Sequence, residues 1–181
     1  VVAVDAAARS ILWGFAYRRA DPLAPPKPEP EGEWIDAAAT IPDGRVLVTP
    51  FDSDRLHCLD LASGKEMWSR PGGQSILVAC VHREKAILVG RREVTAVRLA
   101  DGAPAWPGGS VSLADRGLPS GRGLYCGSSY HLPTTAKRLL QIDLESGAIV
   151  AETPTGDILG NLVAVGGRLI SQGPQRIEQF R

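Results

Sequence analysis

Histidines, cysteines and clustered carboxylates are where a short chain most readily does chemistry. This chain of 181 residues carries three histidines and three cysteines. His57 and Cys58 are adjacent in "LHCLDL", Cys80 precedes His82 in "ACVHRE", and Cys126 lies five residues before His131. Zinc needs three or four converging ligands, and none of these pairs has the CxxC-type spacing that would supply half a site. Neighbouring residues of a strand point to opposite faces, so "HC" does not present two ligands together. The reading is therefore no metal ligands. Three widely spaced cysteines, an odd number, do not make a disulfide framework either. Each lies in an apolar run ("LHCLDL", "ILVACV", "GLYCGSS"), and a buried small hydrophobe is expected at all three.

Nucleophilic and phosphate chemistry fare no better. No G-x-S-x-G elbow occurs to expose a serine on a strand-to-helix turn. "GLPSGRG", 117–123, has glycine spacing but no strand–helix context, so it is not read as a phosphate loop. No run of Asp, Glu and Asn resembles a calcium loop. "REKAILVGRRE", 83–93, is an apolar run between charges and reads as a solvated edge strand or hairpin. No catalytic residue is assigned.

Composition narrows the classes further. The chain is 44% hydrophobic and 22% charged, a globular balance. Twenty basic residues against 20 acidic ones give zero formal net charge. Without the cationic excess that neutralises phosphates, nucleic acid is excluded as a partner. No apolar stretch approaches the roughly 20 residues that span a bilayer. The opening "VVAVDAAARSILWGF" lacks a basic segment before an apolar core and is not a signal peptide. It reads as the middle of a folded unit, so a larger protein is expected around it.

The elements that position these side chains emerge from internal repetition. "DAAARSILW" at 5–13, "DLASGKEMW" at 60–68, "RLADGAPAW" at 98–106 and "DLESGAIVA" at 143–151 align without gaps. Asp5, Asp60, Arg98 and Asp143 share the first position; Arg9, Gly64, Gly102 and Gly147 share the fifth. Trp13, Trp68, Trp106 and Ala151 share the last. The anchors are 55, 38 and 45 residues apart. Between them lie runs of four to seven residues rich in Val, Leu and aromatics, separated by turn residues. "AAATIP", "GRVLVTPF", "RLHCLDL" and "EMWSR" form one unit, and "SILVACV", "KAILVG", "EVTAVRL" and "PAWPG" the next. "VSLADRG", "GRGLYCGSS", "RLLQIDL" and "AIVAETP" follow, and "GNLVAVGG", "RLISQG" and "RIEQFR" begin another. No long segment keeps a 3.6-residue apolar stripe, so the fold class is all-β, with four-stranded antiparallel units.

Two parts of the repeat have structural work to do. Asp60 and Asp143 can accept hydrogen bonds from turn amides, and Gly64, Gly102 and Gly147 suit a left-handed backbone without a Cβ penalty. Trp13, Trp68 and Trp106, on the outer strand, can lie between neighbouring units and donate the indole N–H to a carbonyl. These eight residues are expected to dock one unit on the next. The fourth copy, with Ala151, should be fastened more weakly. "RRADPLAPPKPEPEGEW", 18–34, contains five prolines, which cannot donate to a ladder, and reads as an exposed insertion.

"LHCLDLASGKEMW" resembles the repeat of the PQQ-like (quinoprotein-type) β-propellers, with "VTAVRLADGAPAW" and "VVAVDAAARSILW" as degraded copies. The resemblance implies a β-propeller whose tryptophans dock on the adjacent blade. It also implies a ring of seven or eight blades, of which about four are present here as a single propeller segment, 1–181. The units become the end of a first blade (1–17), the insertion (18–34), blades at 35–71, 72–107 and 108–154, and an incomplete blade at 155–181. By the same resemblance, the expected function is a non-catalytic scaffold or binding module, as in the outer-membrane assembly propeller lipoproteins. The expected location is extracytoplasmic. Its partners would be another protein or the remaining blades of the same propeller, with no cofactor. Two alternatives stay open: part of a quinoprotein dehydrogenase using PQQ and calcium, or a polymer-binding propeller attached to an enzyme. The dehydrogenases of this class close a ring of adjacent cysteines over the quinone, and this chain has no Cys-Cys pair.

Overall fold

A computed structural model describes residues 1–18, 37–50, 52–173 and 176–180. The proline-rich insertion, apart from Arg18, lies outside the described residues. Among the described residues every regular element is a β-strand, and the strands form five antiparallel sheets in chain order. β1 (Val2–Asp5) pairs with β2 (Ser10–Gly14). β3 (Arg45–Val48), β4 (Arg55–Asp60) and β5 (Glu66–Pro71) form the second sheet. β6 (Ser75–His82), β7 (Lys85–Gly90), β8 (Glu93–Arg98) and β9 (Ser110–Ser112) form the third. β10 (Leu124–Cys126), β11 (Ser129–Thr134), β12 (Arg138–Asp143) and β13 (Ile149–Pro154) form the fourth. β14 (Asn161–Val165), β15 (Arg168–Gln172) and β16 (Ile177–Phe180) complete the series.

Short connections make these meanders inevitable. A two-residue turn such as Arg83-Glu84 can only return the chain antiparallel to itself, and Arg83 adopts the left-handed backbone such turns need. The hydrophobic core lies between the sheets. Val46, Val48 and Leu59 of the second sheet pack against Val1, Trp13 and Phe15. On their other side Leu47, Leu56 and Cys58 meet Val78, Ala86 and Leu88 of the third sheet. Leu77, Ile87 and Val89 meet Tyr130, Leu132, Leu140 and Ile142 of the fourth. Alternate side chains of one strand thus serve two different joints.

The strand assignments differ from the sequence reading in four places. "AAATIP" forms no strand; Thr40 alone bridges Leu47, exchanging two backbone hydrogen bonds of 3.0 and 2.8 Å. "PAWPG" was expected as the outer strand of its unit, but Pro104 makes a single bridge with Val97, and Pro107 has no N–H to continue it. The chain turns through Gly109 (φ 75°) and returns as β9, so the third sheet extends past residue 107 and takes Val111 and Ser112 from "VSLADRG". "GRGLYCGSS" is not one strand: Gly127 (φ 60°) folds it into the β10–β11 hairpin. Finally, Lys85–Gly90 belongs to hairpins, as one of its two readings had it, and is no solvated edge. β7 is an inner strand, buried from Ala86 to Gly90, between two hairpin turns that carry the charges.

Candidate functional site

The eight residues singled out from the repeat come together at the joints between sheets. At the second turn, Asp60 Oδ1 accepts the Ser63 N–H (2.8 Å) and hydroxyl (2.6 Å), while its carbonyl accepts the Gly64 N–H (2.8 Å). Asp143 does the same with Ser146 (2.8 and 2.6 Å) and Gly147 (2.9 Å). The Ser63 hydroxyl and amide hold the Asp60 carboxyl below its usual range, and those of Ser146 hold Asp143 likewise. The third turn reaches the same backbone shape by other means. Arg98 replaces the aspartate, and its guanidinium grips Asp101 through two bonds of 3.1 and 2.6 Å. Asp101 also accepts the Ala103 N–H (3.0 Å). Chiefly through Arg98, its carboxyl is pulled down to about 2.

Each turn presents a glycine with positive φ, and on each lies an indole from the preceding sheet. A Cβ on Gly102 would sit 2.6 Å from the ring of Trp68, and one on Gly147 2.5 Å from Trp106. Gly64 faces Trp13 at least as closely. The glycines are thus required twice, by backbone conformation and by lack of room. Trp13 donates its indole N–H to the Leu61 carbonyl (2.8 Å), Trp68 to Leu99 (2.9 Å) and Trp106 to Leu144 (3.0 Å). The N–H groups of these same leucines bond back to the inner hairpin turn of their own sheet, at Gly44, Glu84 and Ser128. One peptide segment therefore ties a sheet's two turns together and receives its neighbour's tryptophan. The leucines were missed from sequence, although Leu61, Leu99 and Leu144 recur one place after the last three anchors.

A β-bulge aims the indole. Trp68 pairs with Cys58 but Glu66 with Leu59, leaving Met67 as the extra residue. Leu12 and Val150 are the extra residues in the β1–β2 and β12–β13 pairs, and all three are exposed. Arg9, at the glycine position of the first copy, takes φ 52°, the glycine's conformation with a side chain on it. Ala151, at the tryptophan position of the fourth, is exposed.

Other side chains gather at these joints. Glu145, beside Gly147, accepts from His82 Nε2 (2.9 Å), Arg83 (2.6 Å) and Lys85 (2.5 Å), all on the third sheet. His82 Nδ1 meets the Tyr125 hydroxyl at 3.1 Å. Lys85, then His82, hold the Glu145 carboxyl below its usual range. His57, buried, bonds Glu66 through Nδ1 (2.7 Å) and packs against the rings of Phe15 and Tyr17. It faces the first sheet, whereas Cys58 faces the third. Burial lowers the affinity of His131 for a proton.

The cysteines were all expected to be buried. Cys58 is, Cys80 is half-buried, and Cys126 is exposed, because β10 is three residues long and ends at Cys126, just before the Gly127 turn. Burial pushes the Cys58 thiol up to about 11, against a smaller opposing pull from Arg45, and the Cys80 thiol up to about 12. Among the described residues, no three His, Cys, Asp or Glu side chains converge as a metal site.

Sheets of two to four antiparallel strands, stacked face to face in chain order, follow the architecture of a β-propeller. Residues 1–173 match the family described as outer membrane protein assembly factor BamB. The chain belongs to this PQQ-like propeller family. Among solved structures it is similar to BamB from Moraxella catarrhalis, with a TM-score of 0.61 and 19% identity. That match covers 76% of this chain and 42% of BamB, so the chain spans less than half the length of that relative. The computationally designed Ika4 protein matches with a TM-score of 0.61 at 12% identity, over 83% of this chain and 93% of Ika4. The WD40 domain of Neurospora crassa Pan2 matches at 0.59 and 15%, over 76% and 43%. No curated protein matches the chain in sequence. As a BamB-like propeller segment, it has no helix, among the described residues, long and apolar enough to cross a membrane.

Proposed function

We propose that this BamB-like segment is a non-catalytic scaffold that docks proteins in the cell envelope. One observation carries the reading. The repeat's distinctive residues, Trp13, Trp68 and Trp106 with Gly64, Gly102 and Gly147, are consumed in joining sheet to sheet. Asp60 and Asp143 shape the turns that receive those indoles. A surface built this way keeps its loops in fixed relation, which is what a rigid binding platform needs. The family's description as an outer membrane protein assembly factor supports both a protein partner and an envelope location.

The competing reading is a quinoprotein dehydrogenase. The test is to incubate the protein with PQQ and calcium and follow dye-linked alcohol oxidation. Turnover above that of the cofactor alone would overturn the scaffold reading. Absence of turnover, together with recovery of the native protein in the envelope fraction of its cells, is the expected result.

A further inference from the structure

We infer that Arg98 is a positioning residue: by facing Lys85 within its own sheet, it commits that lysine to Glu145 across the joint between the β6–β9 and β10–β13 sheets. Two departures from the repeat meet at this joint. The first position is Asp5, Asp60 and Asp143 but Arg98, and the third is Ala7, Ala62 and Ala100 but Glu145. Strand register puts His82 opposite Lys85, and Lys85 opposite Arg98, on one rung. Residues directly opposite share a face, and this rung faces the fourth sheet, where Glu145 takes both His82 and Lys85. In the second sheet the corresponding rung sets Arg45 opposite Asp60, a cation against an anion. In the third it sets cation against cation, which is unfavourable unless each finds an acid elsewhere.

Each does. The Arg98 fork takes Asp101, the acid of its own turn, through bonds of 3.1 and 2.6 Å. Lys85, its side chain 19% exposed, reaches out of the sheet to Glu145, bonding the carboxylate at 2.5 Å and the backbone carbonyl at 3.3 Å. Its charge also reaches Asp143, whose carboxyl is held down mainly by Ser146 and more weakly by Lys85. An aspartate at position 98 would offer Lys85 an acceptor on the neighbouring strand, with Cβ atoms roughly 5 Å apart, and no need to cross the joint. Arginine removes that choice. Sheets built on one repeat present similar faces and can dock out of order. Charges that match across this one joint favour the third sheet against the fourth over other pairings.

Hydrogen exchange tests this on a turn swap. Arg98→Asp with Asp101→Ser rewrites the third turn as Asp-Leu-Ala-Ser-Gly, the sequence of the second, so the turn itself should hold. Exchange is read at the Leu144 amide, which bonds the Ser128 carbonyl (2.8 Å), and at the Gly147 amide, which bonds the Asp143 carbonyl (2.9 Å). The Leu61 amide of the second sheet is the control. The swap should speed exchange at Leu144 and Gly147 about fivefold, and Glu145→Gln about tenfold, with Leu61 unchanged in both. In a Lys85→Met background the swap should have no further effect at these two amides. Native exchange rates at Leu144 and Gly147 in the swap would overturn the inference. So would a swap effect that survives Lys85→Met, or one that appears equally at Leu61.

Discussion

Arg9 and Gly102 hold the same place in the repeat and nearly the same left-handed backbone, at φ 52° and 71°. They differ in what covers them. Gly102 lies under Trp68, so Gly102→Ala adds a strained φ and a clash with the ring. The expected loss is about 2–4 kcal/mol by urea denaturation. Arg9→Gly should do the reverse, removing the left-handed penalty of a residue with a Cβ, and stabilise by about 0.5–1 kcal/mol. If Gly102→Ala proves neutral, the indole does not occupy that space. Asp101 supplies a pH test. Its folded carboxyl titrates at about 2, below the ordinary value near 3.9, so its contribution is complete above that ordinary value. That contribution disappears as pH falls through about 2. In Asp101→Asn, the acid-dependent loss of stability over this window should shrink; an unchanged pH profile would count against the Arg98 contact.

Elements differ in how completely they are enclosed. β7 is buried from Ala86 onward and hydrogen-bonded on both sides, whereas the β1–β2 hairpin exposes Val2, Val4, Ile11 and Leu12. Hydrogen exchange should rank them accordingly, with β7 amides slowest and β1–β2 amides fastest. Equal protection in the two would mean that the sheets open as one unit. The repeat also marks where strand prediction fails. Proline at 104 and 107 cuts short a strand that the spacing placed at Trp106, and β9 resumes the ladder after a loop. β11 escaped notice because "SYHLPT" mixes His and Pro into a strand whose partner, β12, decides its pairing. Local composition does not show such tertiary support.

For the molecule as a whole, stability is a sum over sheets and the joints between neighbours, as in other repeat architectures. Trp106 is the most buried of the three docked indoles, and its joint also holds the Glu145 cluster. Trp106→Ala should cost about 3–5 kcal/mol, and Trp13→Ala less. Because joints couple neighbouring sheets, Trp106→Ala should also broaden the unfolding transition, with sheets on either side melting separately. A sharp single transition would place the coupling elsewhere.

The sequence by itself determined the all-β class, the repeat frame and the residues of the docking motif. Turn glycines and periodic tryptophans follow from backbone and packing constraints that act within a few residues. Only the tertiary structure decided what those residues touch. It assigned the indole N–H groups to Leu61, Leu99 and Leu144, brought Glu145 to His82 across 63 positions, and left Cys126 in solvent. It also showed that Arg98 and Asp101 rebuild a turn whose aspartate is missing. Each of these depends on which faces of two sheets meet, and that is set by contacts between distant segments.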